Sequence, residues 1–130
     1  MKKQGILQHE ISEVIAKLGH GDMIVIADAG LPIPQGVRRI DLALSKGIPS
    51  FLDTLKAILD DVEVESCIIA EELPEVSPEL YKKMEKVLKV PVSQTPHEEF
   101  KKITETSVAV IRTGEFTPYA NIILKAGVVF

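Results

Sequence analysis

The sequence predicts a single α/β domain over residues 1–130, with a mainly parallel sheet flanked by helices on both faces. Three observations carry this reading. The chain has 130 residues, 45% of them hydrophobic and 26% charged, which is the size and composition of one globular domain. Short runs rich in β-branched residues alternate with helical segments of about a dozen residues, the pattern of strand–helix–strand crossovers. Some of those runs are apolar at every position rather than at alternate ones, as strands covered on both faces are.

The elements follow in order. Ile11, Val14, Ile15 and Leu18 recur at the spacing of a helix with one buried face, and Gly19 reads as its C-terminal cap. Met23–Ala27 is a continuous apolar strand with Asp28 directly after it. Two prolines stiffen the loop Gly30-Leu31-Pro32-Ile33-Pro34-Gln35-Gly36. Ile40, Leu42 and Leu44 alternate with polar residues or alanine and predict a second strand. Ser50 and Asp53 have capping-box-like spacing ahead of the stripe Phe51, Leu52, Leu55, Ile58, Leu59 and Val62. Val64–Ala70 is a third strand. Ser77 and Pro78 open a helix as N-cap and first-position proline, with Leu80, Met84, Val87 and Leu88 on its apolar side. Residues 91–94 read as a short strand and 97–106 as a short helix held by Phe100 and Ile103. Strands at 108–111, 122–124 and 128–130 complete the order, the last two able to pair antiparallel about Ala126-Gly127. The apolar C-terminus predicts that residues 128–130 dock in a core or a subunit contact, because a free end otherwise frays.

Charge and motif content exclude several functions. Lys and Arg total 15 against 19 Asp and Glu, a net charge of -4, which argues against nucleic-acid binding driven by cationic side chains. No apolar stretch approaches the roughly 18–20 residues of a membrane span. The start Met1-Lys2-Lys3-Gln4-Gly5 lacks the apolar run of a signal peptide. The expected location is the cytoplasm. Cys67 is the single cysteine and, within Ser66-Cys67-Ile68-Ile69, reads as a core residue. There is no GxGxxG, P-loop, GxSxG, CxxC or HExxH, and His9, His20 and His97 are scattered. The expectation is neither a metal nor a cofactor.

Four places could carry chemistry. His20 lies between two glycines, ahead of a strand. It is either a polar loop residue favoured near a helix C-terminus or an accessible acid/base group that titrates near neutrality. Asp28 stands at the C-terminal end of a central strand, where open α/β sheets bind ligands; a turn-forming aspartate is the other reading. His97 and Lys101 are four apart on one side of a helix and can flank a cleft or face solvent. Tyr119 and Asn121, two apart, would project to the same side if the backbone is extended. Glu10, Glu71-Glu72, Glu98-Glu99 and Lys82-Lys83 read as solvated charge.

Together, Gly19-His20-Gly21-Asp22, Ile26-Ala27-Asp28-Ala29-Gly30-Leu31-Pro32-Ile33-Pro34, His97-Glu98-Glu99-Phe100-Lys101 and Arg112-Thr113-Gly114-Glu115, followed by Thr117-Pro118-Tyr119-Ala120-Asn121-Ile122-Ile123-Leu124, resemble the D-ribose pyranase family. The resemblance runs over essentially the whole chain. The related fucose mutarotases share the His20 and Tyr/Asn blocks, whereas Gly30-Leu31-Pro32-Ile33-Pro34 is similar to the ribose branch. The resemblance implies an isomerase that interconverts pyranose and furanose forms of D-ribose, with mutarotation, supplying ribofuranose for phosphorylation. It implies His20 as proton donor, and Asp28, His97, Tyr119, Ala120 and Asn121 as substrate-binding, with Lys101 a further candidate. It also implies a homodecamer of two stacked pentameric rings.

The chemistry suits these residue types. A cyclic sugar is a hemiacetal, so opening it needs a proton removed from the anomeric hydroxyl and one delivered to the ring oxygen. A near-neutral acid/base group and hydrogen-bonding anchors suffice. A different reading is a non-catalytic sugar-binding module linked to ribose uptake, which would not need an ionisable His20. A small α/β signalling domain is weaker, since it lacks paired acidic residues with a following strand-end lysine. A strand rising about 3.3 Å per residue would hold His20 and Asp28 roughly 17–25 Å apart. If both serve one sugar, the expectation is an active site shared between subunits.

Overall fold

The computed structural model describes all residues, 1–130. Its elements run α1 (His9–Lys17), β1 (Met23–Ala27), β2 (Arg38–Asp41), α2 (Phe51–Asp61), β3 (Val64–Ala70), α3 (Glu72–Val76), α4 (Pro78–Val87), β4 (Val92–Thr95), α5 (His97–Thr104), β5 (Ala109–Arg112) and β6 (Ile122–Ala126). The six strands form one sheet in the order β2-β5-β1-β6-β3-β4. Only β6 runs against the others, pairing antiparallel with β1 and β3. The predicted α/β fold with a mainly parallel sheet is the one found.

Alternation along β1 divides the core. Ile24 and Ile26 face a large cluster with Ile11 and Val14 of α1, Phe51, Leu55 and Ile58 of α2, Leu73 of α3 and Met84 of α4. Val25 and Ala27 face a smaller one with Val110, Ile123, Leu31 and Phe100 of α5. Both faces are therefore covered, which is why β1 is apolar at successive positions. Cys67 is buried in the larger cluster, and burial pushes its thiol up to about 11, so it is a core residue as expected.

Caps and turns set the ends. Ser50 accepts a hydrogen bond from the Asp53 N–H at 3.1 Å, so the predicted N-cap of α2 holds. Ser77 precedes α4 but makes no side-chain cap bond; its hydroxyl donates to the Pro118 carbonyl at 2.8 Å instead. Gly19 is not a left-handed cap. Helix α1 ends on Leu18 in extended backbone, and the left-handed residue is Gly21, at φ +87°.

Two further expectations are corrected, and one helix had no counterpart in the sequence reading. The second strand ends at Asp41, and Leu44 lies beyond it, exposed; an edge strand has only β5 to pair with, and after Asp41↔Arg112 its partner leaves the sheet. Residues 128–130 form no strand and do not dock in this chain's core, with Phe130 fully exposed. Helix α3 had no sequence signal, because five residues with a proline inside show no helical period.

Gly114 is packed directly against the backbone of residues 45–48, leaving no room for a side chain. An added Cβ would lie 2.5 Å from the carbonyl oxygens of both Ser45 and Ile48. Neither atom can swing away as a side-chain tip could. Gly114→Ala should therefore cost on the order of 1–3 kcal/mol, the usual penalty of overpacking. Urea unfolding of the two proteins checks this; equal midpoints and slopes would refute it.

Candidate active site

The C-terminal ends of β1 and β5 meet the segment entering β6, and side chains there tie three loops together. Asp28 leaves β1 and folds into a turn, its Oδ1 accepting from the N–H groups of Gly30 at 2.9 Å and Leu31 at 2.8 Å. Asn121, fully buried, makes a reciprocal pair with it: Oδ1 accepts the Asp28 N–H at 2.8 Å and Nδ2 donates to Asp28 Oδ2 at 3.1 Å. The loop after β5 grips the same turn. Thr113 Oγ1 donates to the Ala27 carbonyl at 2.7 Å, Arg112 Nε to the Ala29 carbonyl at 3.0 Å, and the Ala29 N–H to the Glu115 carbonyl at 2.8 Å. Arg112 also pairs with Asp41 at 3.0 Å. Burial raises the Glu115 carboxyl, but hydrogen bonds from the Phe51 N–H and from Thr117 outweigh this and hold it below its ordinary value.

Tyr119 takes a left-handed φ of 62°, costly for a bulky side chain and typical of functional sites. The Asn121 N–H donates to the Tyr119 carbonyl at 2.8 Å, so residues 119–121 make a tight turn. The backbone there is not extended, so the condition for a shared side is not met, and the two side chains do different work: Asn121 holds Asp28, while the Tyr119 ring meets His97 edge-on at 5.0 Å.

His97 opens α5, whose N-cap is Pro96 and offers no side-chain cap. Glu72 of α3 supplies one, its two oxygens accepting the His97 N–H at 3.0 and 3.1 Å. Glu72 is thus not the solvated charge its sequence context suggested. The His97 ring packs over Phe100, and its Nδ1 is buried without a hydrogen-bond partner. Nε2 remains as the nitrogen able to meet a ligand.

Asp28, His97 and Tyr119 line one cleft of about 290 Å³ with Leu31, Pro32 and Pro118. Ala120 and Asn121 are fully buried beside it. Lys101 does not line this cleft; it pairs with Glu98 at 2.8 Å and holds that carboxyl below its ordinary value. A larger hollow of about 920 Å³ lies between the starts of α2 and α4. It contains none of the predicted residues. The smaller cleft is the better candidate, because it gathers Asp28, His97 and Tyr119 beyond the C-terminal end of β1, where open α/β sheets bind ligands.

His20 is not there. It lies at the opposite end of β1, in a turn closed by the Gly19 N–H on Asp22 Oδ2 at 2.8 Å and the Gly21 N–H on the Ala126 carbonyl at 2.9 Å. Its Nε2 lies 2.8 Å from Glu65 Oε2 on β3, and Lys125 of β6 binds the other Glu65 oxygen at 3.0 Å. His20 and Lys125 together hold the Glu65 carboxyl below its ordinary value. The chain therefore places the predicted residues in two groups, one at each end of the sheet. Sequence reasoning missed Glu72 and Glu65; no local pattern signals partners lying 25 and 45 positions away.

Known proteins match this chain throughout. It is 56% identical over 131 residues to a D-ribose pyranase of Coprothermobacter proteolyticus, covering 100% of both chains. It is 54% identical to one of Clostridium perfringens, again over 100% of both. The structure of Bacillus subtilis RbsD complexed with D-ribose is similar with a TM-score of 0.97 at 50% identity, covering 100% of both chains. The fucose mutarotase of Streptococcus pneumoniae in complex with L-fucose is similar with a TM-score of 0.73 at 25% identity, over 93% of each chain. With residues 1–129 matching the family as a whole, this chain belongs to the RbsD / FucU transport protein family.

Proposed function

We propose that this chain is an isomerase that interconverts the pyranose and furanose forms of D-ribose, with mutarotation. The carrying observation is the likeness to D-ribose pyranases over its full length at more than half identity. The match to the ribose-bound Bacillus subtilis protein points to the same sugar. A cleft with Asp28, His97 and Tyr119 offers the acceptors and donors that a polyhydroxylated ring needs.

In this reading the sugar sits against Asp28, whose outer oxygen is oriented by Asn121, with His97 Nε2 and the Tyr119 hydroxyl as further partners. Ala120, in the turn between Tyr119 and Asn121, is a further sugar contact in this reading. Lys101, four residues after His97 and outside the cleft lining, is the further candidate for a sugar contact. His20 protonates the ring oxygen as the C1–O bond to it breaks, while the anomeric hydroxyl gives up its proton to a base, a carboxylate such as Asp28 in the cleft or a water molecule, and the C1–OH oxygen becomes the aldehyde carbonyl. The open-chain aldehyde then recloses through another hydroxyl, and the same transfers run in reverse. The product, ribofuranose, is supplied for phosphorylation.

His20 and Asp28 lie at opposite ends of β1, and the His20 loop is bonded to β6 and β3 at its own end of the sheet rather than folded back. One sugar then meets both only if a neighbouring subunit brings the second. We assign the assembly as a closed homo-oligomer, a decamer of two pentameric rings, with each site shared between subunits. The exposed apolar residues 128–130 suit a subunit contact. No helix is long and apolar enough to cross a membrane, and the proposed location is the cytoplasm.

Saturation-transfer NMR on D-ribose tests the activity. Micromolar protein should accelerate exchange between ribopyranose and ribofuranose signals with no added metal or nucleotide, and in EDTA. Unchanged exchange overturns the reading and favours a non-catalytic sugar-binding module instead.

A further inference from the structure

The His20 side chain is 60% exposed, yet its Nε2 is tied to one carboxylate oxygen while the other is tied to Lys125. The sheet is irregular at this place. Val64 opposes Ala126 and Ser66 opposes Lys125, so Glu65 is an extra residue between two pairs. Such a bulge re-aims a side chain out of the regular alternation. Gly127 leaves room for the displaced residue; a Cβ there would lie 3.2 Å from the Glu65 Cβ. The His20 backbone is fixed independently, by the Gly19–Asp22 and Gly21–Ala126 hydrogen bonds. An exposed ion pair contributes little to stability, so stability alone gives no account of why backbone and side chain converge here.

We propose that Glu65 is a positioning residue for His20, fixing the ring with its proton on Nε2 and leaving Nδ1 as the nitrogen that exchanges a proton with the sugar. This rests on the reading that His20 performs the proton transfer. An ionised carboxylate is an acceptor only, so the ring nitrogen facing it must carry hydrogen. In the neutral imidazole the lone pair is then on Nδ1, and in the imidazolium Nδ1–H is the unengaged donor. Lys125 occupies the second oxygen, which stops the carboxylate from turning and keeps it ionised. Geometry thereby sets both the tautomer and the direction of the reactive nitrogen.

Two measurements on the full chain test this. Long-range ¹H–¹⁵N correlation spectra of the histidine-labelled protein at about pH 8, above the ordinary histidine range near 6.5, should show His20 as the Nε2–H tautomer. In Glu65→Gln, whose amide can donate as well as accept, that preference should fall to a mixture. The exchange rate at saturating ribose should fall about 10- to 100-fold in Glu65→Gln, as loss of an orienting partner does elsewhere, with little change in KM. Lys125→Met should give a smaller loss of the same kind. A wild-type His20 in the Nδ1–H form, or a Glu65→Gln rate within about twofold of wild type when that range of loss is expected, overturns the proposal. If Glu65→Gln fails to fold, the wild-type tautomer and the Lys125→Met rate decide it. Full activity in His20→Ala would instead remove the proton-transfer reading, while the tautomer result would still report whether Glu65 sets the ring.

Discussion

His20→Ala should slow ribopyranose–ribofuranose exchange on the order of 10²-fold or more, the usual contribution of a general acid/base group. The effect should fall on turnover rather than on ribose binding, because Asp28, His97 and Tyr119 line the cleft that anchors the sugar while His20 is assigned the proton transfer. His20→Gln sharpens the result. Glutamine keeps hydrogen-bonding capacity and approximate reach but cannot titrate in this range. Binding without exchange in that variant identifies His20 as an acid/base catalyst. A sugar-binding module predicts ribose binding in wild type and variants alike, with no exchange in any of them. A loss under about threefold in His20→Ala, against the 10²-fold expected of such a group, contradicts the role assigned to it. The variant is also a mild one structurally, since the turn around His20 is closed by backbone groups and Asp22 rather than by the imidazole.

Local signals in the sequence were sufficient for the central architecture. The uninterrupted run Met23–Ala27 became a strand covered on both faces, and the Ser50 cap formed where its spacing placed it. Edges fared worse. The alternation of Ile40, Leu42 and Leu44 predicted a strand three residues past the point where β2 ends, because alternation says nothing about where the neighbouring strand stops. The apolar residues 128–130 look like core but are all exposed in this chain, Phe130 fully. Asp28 was legible as a strand-end aspartate, and its turn is the one Asp commonly makes. Its pairing with Asn121, 93 positions away, was not, since only the antiparallel register of β1 and β6 brings the two together. The same holds for Glu65, which reads as one polar residue in a strand until the bulge turns it towards His20.

Mixed rings of two inactive variants should regain activity. The two groups of predicted residues lie at opposite ends of one sheet, and β1 alone spans about 17 Å at the usual rise per residue. The loop bearing His20 is bonded to Ala126 and Glu65 at its own end, so it does not reach back to Asp28. A site using both must therefore take His20 from one chain and Asp28 with Asn121 from another. His20→Ala and Asn121→Ala should each be nearly inactive alone. The second unpairs the buried Asp28 N–H, which also costs stability. Asp28→Asn is a second companion: it retains the acceptor for the Gly30 and Leu31 N–H groups and the Asp28 N–H bond to Asn121, but its amide nitrogen faces the Asn121 Nδ2 donor, so that one bond is lost. Co-refolded in equal amounts with His20→Ala, either variant should enter mixed rings, visible by native mass spectrometry as species of intermediate mass. With random assortment in a closed ring, a site is intact when one neighbour keeps His20 and the other keeps Asp28 and Asn121, which happens in about a quarter of cases. Exchange activity should recover towards that fraction of wild type. Confirmed mixed rings with no recovery would mean that His20 and the Asp28 cleft serve one site from the same chain, and the loop at Gly19–Gly21 would then have to move the length of the strand to close it.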